Sequence, residues 1–338
     1  MIDIAATIVG DSEPIRQLRA LVLAAAPTTL AVLIEGPTGS GKELVAAALH
    51  AASGRRGRLV AFNVCAIGDS MFEDALFGHV RGAFTGALGD SQGFLREADG
   101  GTAFFDEISG LPMPLQAKLL RAIETGEFRP VGARHDARSA FRVVAATNER
   151  LDALVGQHRF RADLAHRIGA IVVHVPPLAD RSEDVPVLVR TFLDRAGLAH
   201  ITTTTGATRL LQAHDWPGNV RELKQVIEWA GALADTSIDD EIVVTAMAHR
   251  SHSPVSDGRV LERRQLRDTL ERVQGDTERA ARELGIHRAT LYRRMKRLQV
   301  ALPSKSGAFA RLPQNRDASR EVAAPCANGA TEVGRRRM

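Results

Sequence analysis

Three observations predict an α/β fold built on a parallel sheet, followed by a small helical domain and a basic all-α module. An apolar run at residues 30–34 leads straight into Gly36-Pro37-Thr38-Gly39-Ser40-Gly41-Lys42-Glu43 and then into helical spacing. A second apolar run, at 102–105, ends in the adjacent carboxylates Asp106 and Glu107. Beyond residue 258 the charge balance turns basic, with twelve Arg and Lys against six acids up to residue 300. The residues after 300 carry seven basic and three acidic groups within a total of +4, so residues 1–257 sum to about −6. A basic C-terminal module on an acidic body suggests nucleic-acid binding at one end and different chemistry at the other.

A chain of 338 residues has room for two or three domains, and 44% hydrophobic with 25% charged residues is the balance of a globular protein. No apolar run reaches the ~18 residues of a membrane span, and the first five residues carry neither a basic start nor an apolar core, so a cytoplasmic protein without a signal peptide is expected. Cys65 and Cys326 are the two cysteines, which excludes a disulfide framework or a zinc site.

In chain order, residues 8–26 read as a short loop and an amphipathic helix, with no room expected ahead of them for a separate regulatory domain. The run at 30–34 is a buried parallel strand, and a helix follows from Glu43 to about Ala52. Strand, glycine loop, lysine and helix stand in P-loop order. Backbone N–H groups and the positive helix end cradle phosphates while Lys42 reaches the outer phosphoryl oxygens. Glu43 stands where Ser or Thr normally ligates Mg²⁺, so metal binding leans on other residues. Residues 59–64 are a second strand with Asn63 near its carboxyl end, and 70–77 a helix.

Next comes Gly82-Ala83-Phe84-Thr85-Gly86-Ala87, two glycines around a lone aromatic and a hydroxyl, which read as a tight turn. The strand at 102–108 then places Asp106 to hold Mg²⁺, directly or through water, and Glu107 to polarise the water that attacks the γ-phosphate. Residues 114–124 are an amphipathic helix, and 141–148 a buried strand whose terminal Asn148 can orient water or sense the γ-phosphate. Arg161 and Arg167 read either as helix-surface arginines or as groups reaching a neighbour's γ-phosphate in a ring.

Together these segments resemble the AAA+ activators of sigma-54 RNA polymerase, the bacterial enhancer-binding proteins. The matches run in the family's order over about residues 8–235: 36–43, Asn63, 73–79, 82–87, 100–108, 115–121, 145–148, 160–168, 175–178 and 216–223. The most specific of them is the whole of 82–87. The resemblance implies an AAA+ P-loop ATPase core with a helical lid, ATP and Mg²⁺ as ligands, and a hexameric ring. It also implies that Asn63 couples nucleotide state to Glu107, that Arg161 and Arg167 act on the neighbouring subunit, that Arg221 is the lid sensor, and that Phe84 and Thr85 contact the sigma-54 holoenzyme. Ala179 stands where the family has Arg, and Ala75 and Val80 where it has acidic residues; the latter two flank the loop and so bear on how nucleotide state reaches it.

Residues 181–235 show three amphipathic helical patterns and no strand-like run, and Asn219 is the expected N-cap of the helix carrying Arg221. The organisation expected is an ATPase core over 1–175, a lid over 176–245, a linker over 246–259, a helix-turn-helix over 260–300 and a disordered tail over 301–338. In the C-terminal module, helices at 261–274, 277–284 and 288–299 with Gly285 at the turn resemble the Fis-type domain of the same activators. His287, Arg288, Thr290, Tyr292, Arg293 and Lys296 lie where a recognition helix meets bases and phosphates, and pairs of such modules would dock on palindromic enhancer DNA.

The function expected is ATP-driven remodelling of the closed sigma-54 promoter complex. The alternatives are a DNA-binding regulator whose ATP site only switches conformation, and an unfoldase or helicase-loader relative, whose pore loop lacks the 82–87 sequence. Control falls to expression level, a trans-acting partner protein or co-assembly with a paralogue.

Overall fold

The computed structural model describes residues 4–68 and 71–251 and, further on, Leu266, Arg267, Thr269, Leu270, Arg272, Val273, 276–284, Leu291 and Met295. The chain divides into two compact units, Met1–Arg250 and Ser251–Met338.

The first unit holds a five-stranded, all-parallel sheet of β1 (Val32–Glu35), β2 (Leu59–Asn63), β3 (Thr102–Asp106), β4 (Arg142–Thr147) and β5 (Ile171–His174), in the spatial order β2-β3-β4-β1-β5. The three inner strands are apolar on both faces, as strands covered by helices on both sides must be. Along β3, Ala103 and Phe105 join one core while Phe104 joins the other, and along β4 Val143 and Ala145 oppose Val144 and Ala146. Each buried Phe contributes about 1.5–3 kcal/mol. The helices covering the sheet include α1 (Glu13–Ala25), α2 (Lys42–Ala52), α3 (Phe72–Phe77), α4 (Gly93–Glu97), α5 (Met113–Thr125), α6 (Leu151–Gly156) and α7 (Ala162–Ile168).

A buried Arg142 locks β4 to the end of α1. Its guanidinium donates to the carbonyls of Ala26 (2.7 Å) and Ala25 (2.8 Å), helix-end groups that have no partner within the helix, and to Leu30 O (3.1 Å) in the loop that follows.

The lid comprises α8 (Val185–Arg195), α9 (Thr205–Ala213), α10 (Asn219–Leu233) and α11 (Asp240–Ser251), packed around a buried Trp216 whose indole N–H donates to Leu211 O at 2.8 Å. Two differences from the sequence reading appear here. Thr202–Thr203 and Ser237–Ile238 form a two-residue parallel pair, too short to leave a periodic signal, and α11 runs on to Ser251, into the stretch read as linker. No helix among the described residues is long and apolar enough to cross a membrane.

In the second unit, α12 (Thr277–Glu283) matches the helix read at 277–284, and Asp276 caps it by accepting the N–H groups of Glu278 and Arg279. Leu266, Leu270, Val273, Ala280, Ala281, Leu291 and Met295 form its core. The six residues assigned to DNA, the turn at Gly285, most of the linker and the 301–338 tail lie outside the described residues.

Candidate functional site

After β1 the chain leaves for the far edge of the sheet, and after β4 it crosses to the other side of β1. This switch opens a crevice at the carboxyl ends of β1 and β4, where open sheets bind ligands. The loop from Gly36 to Gly41 fills it. Gly36 N–H donates to Thr147 O at 3.2 Å, so the loop starts tied to the end of β4. Gly39 (φ 77°) and Gly41 (φ 107°) take left-handed backbone that a side chain would strain, and a Cβ on Gly39 would stand 3.1 Å from Arg221 Cβ.

Lys42, buried on the first turn of α2, donates from Nζ to Gly36 O at 3.0 Å and faces Glu107 Oε1 at 3.5 Å. Glu107 follows β3 with φ 53° and ψ 51°, a left-handed conformation for a residue with a side chain. That turn brings its carboxylate to the P-loop, where its Oε2 accepts the Asn148 N–H at 3.3 Å. Asn148 Nδ2 in turn donates to Thr38 Oγ1 at 3.1 Å. Asn63 and Asp106 are register partners across β2 and β3, and Asn63 Nδ2 donates to Asp106 Oδ2 at 3.3 Å. The sequence reading linked Asn63 to Glu107; here Asn63 reaches Asp106, while Lys42 and Asn148 meet Glu107. Cys65, two residues beyond Asn63, has its thiol pushed up from its ordinary value by partial burial and then by the charges of Glu107, Asp106 and Glu149.

These carboxylates fit Mg²⁺. Among the described residues no three His, Cys, Asp or Glu side chains group into a protein cage. One or two carboxylates beside a phosphate loop are what a cation needs when phosphate oxygens and water complete its shell. Asp106 is placed for that, and Glu43 is exposed on α2.

The lid closes over the P-loop through residues the sequence reading assigned otherwise or missed. Asn219 is not the N-cap of α10: Gly218 holds that position, its N–H accepted by Glu222 Oε2 at 2.6 Å. Freed from capping and at φ 54°, Asn219 bridges instead, accepting Leu178 N–H at 2.8 Å and donating to Thr38 O at 3.1 Å. Arg221 N–H donates to Gly39 O at 3.1 Å, which roots the exposed Arg221 side chain beside the loop. Arg181, buried in the hinge segment Leu178–Asp184, donates to Ser40 O at 3.1 Å. Asp184, also buried, accepts from Asp11 N (2.6 Å), Ser12 N (2.8 Å) and Ser12 Oγ (2.6 Å), clamping the N-terminal segment to the lid. A narrow apolar cleft lined by Ile8, Val9, Ser40, Leu44, Val175 and Val220 lies between these parts.

Residues 82–87 form a projecting turn. Gly82 (φ 81°) and Gly86 (φ 103°) flank it, and Gly82 N–H donates to Ala87 O at 3.0 Å. Phe84 is 44% exposed, its ring edge-on to His79 at 5.0 Å. The foot of the loop is firm: His79 and Ser91 exchange both backbone bonds, Val80 and Gly78 bond to Val131, and the His79 imidazole pairs with Asp74. The two legs pass so closely that a side chain on Gly78 would run into the backbone of Ser91 and Gln92, and one on Gly93 into that of Phe77 and Gly78.

Arg161 opens α7, its backbone N–H held by the buried Gln116 Oε1 at 2.8 Å and its guanidinium paired with Asp163 at 2.7 and 3.0 Å. Arg167, on the last turn of the same helix, is exposed.

Residues 8–174 match the sigma-54 interaction domain, 179–258 the AAA+ ATPase lid domain and 259–298 the Fis family of bacterial regulatory proteins. The transcriptional regulatory protein ZraR of Klebsiella oxytoca is 40% identical over 302 residues, covering 86% of this chain and 68% of ZraR. The DNA-binding transcriptional regulator NtrC of Rhizobium meliloti is 44% identical over 230 residues, 67% of this chain and 48% of NtrC. Crystal structures of NtrX from Brucella abortus, among them complexes with ADP and with ATP, superpose with a TM-score of 0.65 at 32% identity over 86% of this chain and 69% of NtrX. The chain spans between about half and two thirds of the length of most curated relatives it matches. With three domains in the same order and ZraR aligned along most of both chains, the protein belongs to the AAA+ family of sigma-54-dependent transcription regulators.

Proposed function

We propose that this chain hydrolyses ATP and uses the cycle to turn closed complexes of sigma-54 RNA polymerase into open ones while its C-terminal unit holds upstream enhancer DNA. The observation that carries the reading is the convergence of Lys42, Glu107 and Asn148 on one P-loop, with Asp106 beside them. The ADP and ATP complexes of NtrX support the choice of ligand.

In this mechanism the loop N–H groups and the start of α2 bind the phosphates, and Lys42 leaves Gly36 O for the outer phosphoryl oxygens. Glu107, freed from Lys42, accepts a proton from the attacking water, and Asn148 orients that water. Asp106, steadied by Asn63, would hold Mg²⁺, which when bound would supply charge neutralisation at the phosphates. Subunits assemble through dimers into a hexameric ring, of one chain or with a paralogue, in the cytoplasm. There Arg161 exchanges Asp163 for the neighbour's γ-phosphate and Arg167 approaches the same group, while Arg221 reports nucleotide state to the lid. Phe84 and Thr85 engage the sigma-54 holoenzyme, and His287, Arg288, Thr290, Tyr292, Arg293 and Lys296 engage the DNA.

A second reading, an ATP-switched DNA-binding regulator without remodelling, is favoured by Ala75 and Val80, which leave the foot of the loop without the acidic side chains usual there. Open-complex formation with purified sigma-54 polymerase on an enhancer template separates the two. ATP-dependent opening is expected, and DNA binding without opening leaves the switch.

A further inference from the structure

The amide of Gln116 is fully buried on α5, on a face otherwise made of Leu115, Leu119 and Ala122. An apolar side chain of the same length would fill that place with no polar group to satisfy, so the amide calls for a reason. Its bonds supply one. Nε2 donates to Leu111 O at 2.7 Å and to Arg159 O at 3.2 Å, while Oε1 accepts the Arg161 N–H at 2.8 Å. Leu111 ends the short turn Ile108–Gly110 that follows Glu107, and Gly110 N–H donates back to Glu107 O at 3.0 Å. One side chain therefore ties the segment carrying Glu107 to the distant segment carrying Arg161.

The second segment is bent to meet the amide. His158 takes left-handed backbone at φ 56°, uncommon for a residue with a side chain, and Arg159 N–H turns back to Leu154 O at 2.9 Å. Phe160 and Leu164, before and after Arg161, are buried in the same core as Ile108 and Leu111, so both segments rest on one packed floor. The Arg161 guanidinium, by contrast, reaches the surface, where Asp163 pairs with it. We propose that Gln116 is a positioning residue for Arg161: it fixes the backbone from which the guanidinium reaches the neighbouring subunit, with the turn after Glu107 as its mount. The inference rests on the shared site proposed above and adds what aims the shared arginine. A long side chain is only as well placed as its backbone, and about 1 Å of misplacement costs on the order of 10²-fold in rate.

The test is subunit mixing on the full chain. In a head-to-tail ring each site takes Lys42 and Glu107 from one subunit and Arg161 from the next. Gln116→Met keeps the length of the side chain and removes all three bonds. Alone, it is expected to bind a fluorescent ATP analogue as wild type does and to hydrolyse ATP about 10–10²-fold more slowly. Mixed equally with Glu107→Gln, whose Arg161 is intact, it should regain about a quarter of the wild-type rate, the share of interfaces in which the two meet in the working order. Mixed with Arg161→Ala it should gain nothing over its own rate. Wild-type hydrolysis by Gln116→Met alone, or recovery with Arg161→Ala, overturns the assignment. So does the absence of recovery with Glu107→Gln, which would make Gln116 a support of Glu107 instead. Glu107→Gln mixed with Arg161→Ala is the control, and no recovery there refutes the shared site itself. If Gln116→Met does not fold, the same pattern is read from Gln116→Glu, which keeps the acceptor for Arg161 N–H, loses the amide donors and should lose less activity.

Discussion

Glu107→Gln removes one negative charge and keeps the shape of the side chain. In the wild type that carboxylate stands 3.5 Å from Lys42 Nζ and accepts the Asn148 N–H at 3.3 Å. The glutamine carbonyl can still accept from Asn148, so the left-handed turn at the end of β3 keeps one of its two ties. The lost ion pair releases Lys42, which is buried and therefore gains from any phosphate that replaces the carboxylate. ATP affinity should stay at the wild-type level or tighten. Hydrolysis should fall by on the order of 10²–10⁴, the usual worth of a positioned general base, which is a barrier higher by roughly 3–5 kcal/mol. Single-turnover phosphate release alongside binding of a fluorescent ATP analogue reads both quantities. Wild-type release in a variant that binds ATP would refute the role given to Glu107, and lost binding with a folded chain would mean that Glu107 builds the P-loop.

Three further outcomes follow from the geometry. Asp184→Ala strips three donors of their acceptor and leaves Arg181 without its counter-charge, so urea unfolding of the full chain should lose about 3–5 kcal/mol, against a much smaller loss for Ser12→Ala. Phe84→Ala and Thr85→Ala change a projecting turn, so hydrolysis and the melting temperature should hold while open-complex formation is lost; retained opening would remove the loop from the partner interface. His50, whose Nδ1 lies 2.9 Å from Thr102 Oγ1, has its pKa held below the ordinary histidine value by burial and then by Arg55. The folded state therefore binds fewer protons than the unfolded one around that value, so its contribution is full above about pH 6.5 and fades as the pH falls below it. His50→Gln should flatten that acid slope in a pH series of unfolding midpoints.

The legible parts of the site were those whose chemistry is contiguous in sequence. The P-loop announces itself because a strand, two left-handed glycines, a lysine and a helix must follow one another within about a dozen residues to work at all. Asp106 and Glu107 show because the apolar run that they end lies downstream of a P-loop; a carboxylate pair at a strand end is common by itself and is read as chemistry only in that context. Arg181, Asp184 and the bridging use of Asn219 did not show, because each acts on a segment far away in the chain: Asp184 on Asp11 and Ser12, Arg181 on Ser40, Asn219 on Thr38. Asn219 in particular carries a residue type that predicts a cap, and tertiary contact outweighed the local preference. The edge strand Ile171–His174 went unread for a related reason. Its alternate residues Val172 and His174 face outward, so the run lacks the continuous burial of the inner strands.

The crossing of Gly78 over Gly93 has a mechanical consequence. With the two legs pinched together and joined through His79 and Ser91, and the first leg stitched to Val131 at Gly78 and Val80, the root is held against sliding and widening. The projecting segment is thus a cantilever on a fixed mount, with Gly82 and Gly86 as the free joints between tip and base. Force applied at Phe84 therefore returns to the domain through His79 and its neighbours, and not through the length of the loop.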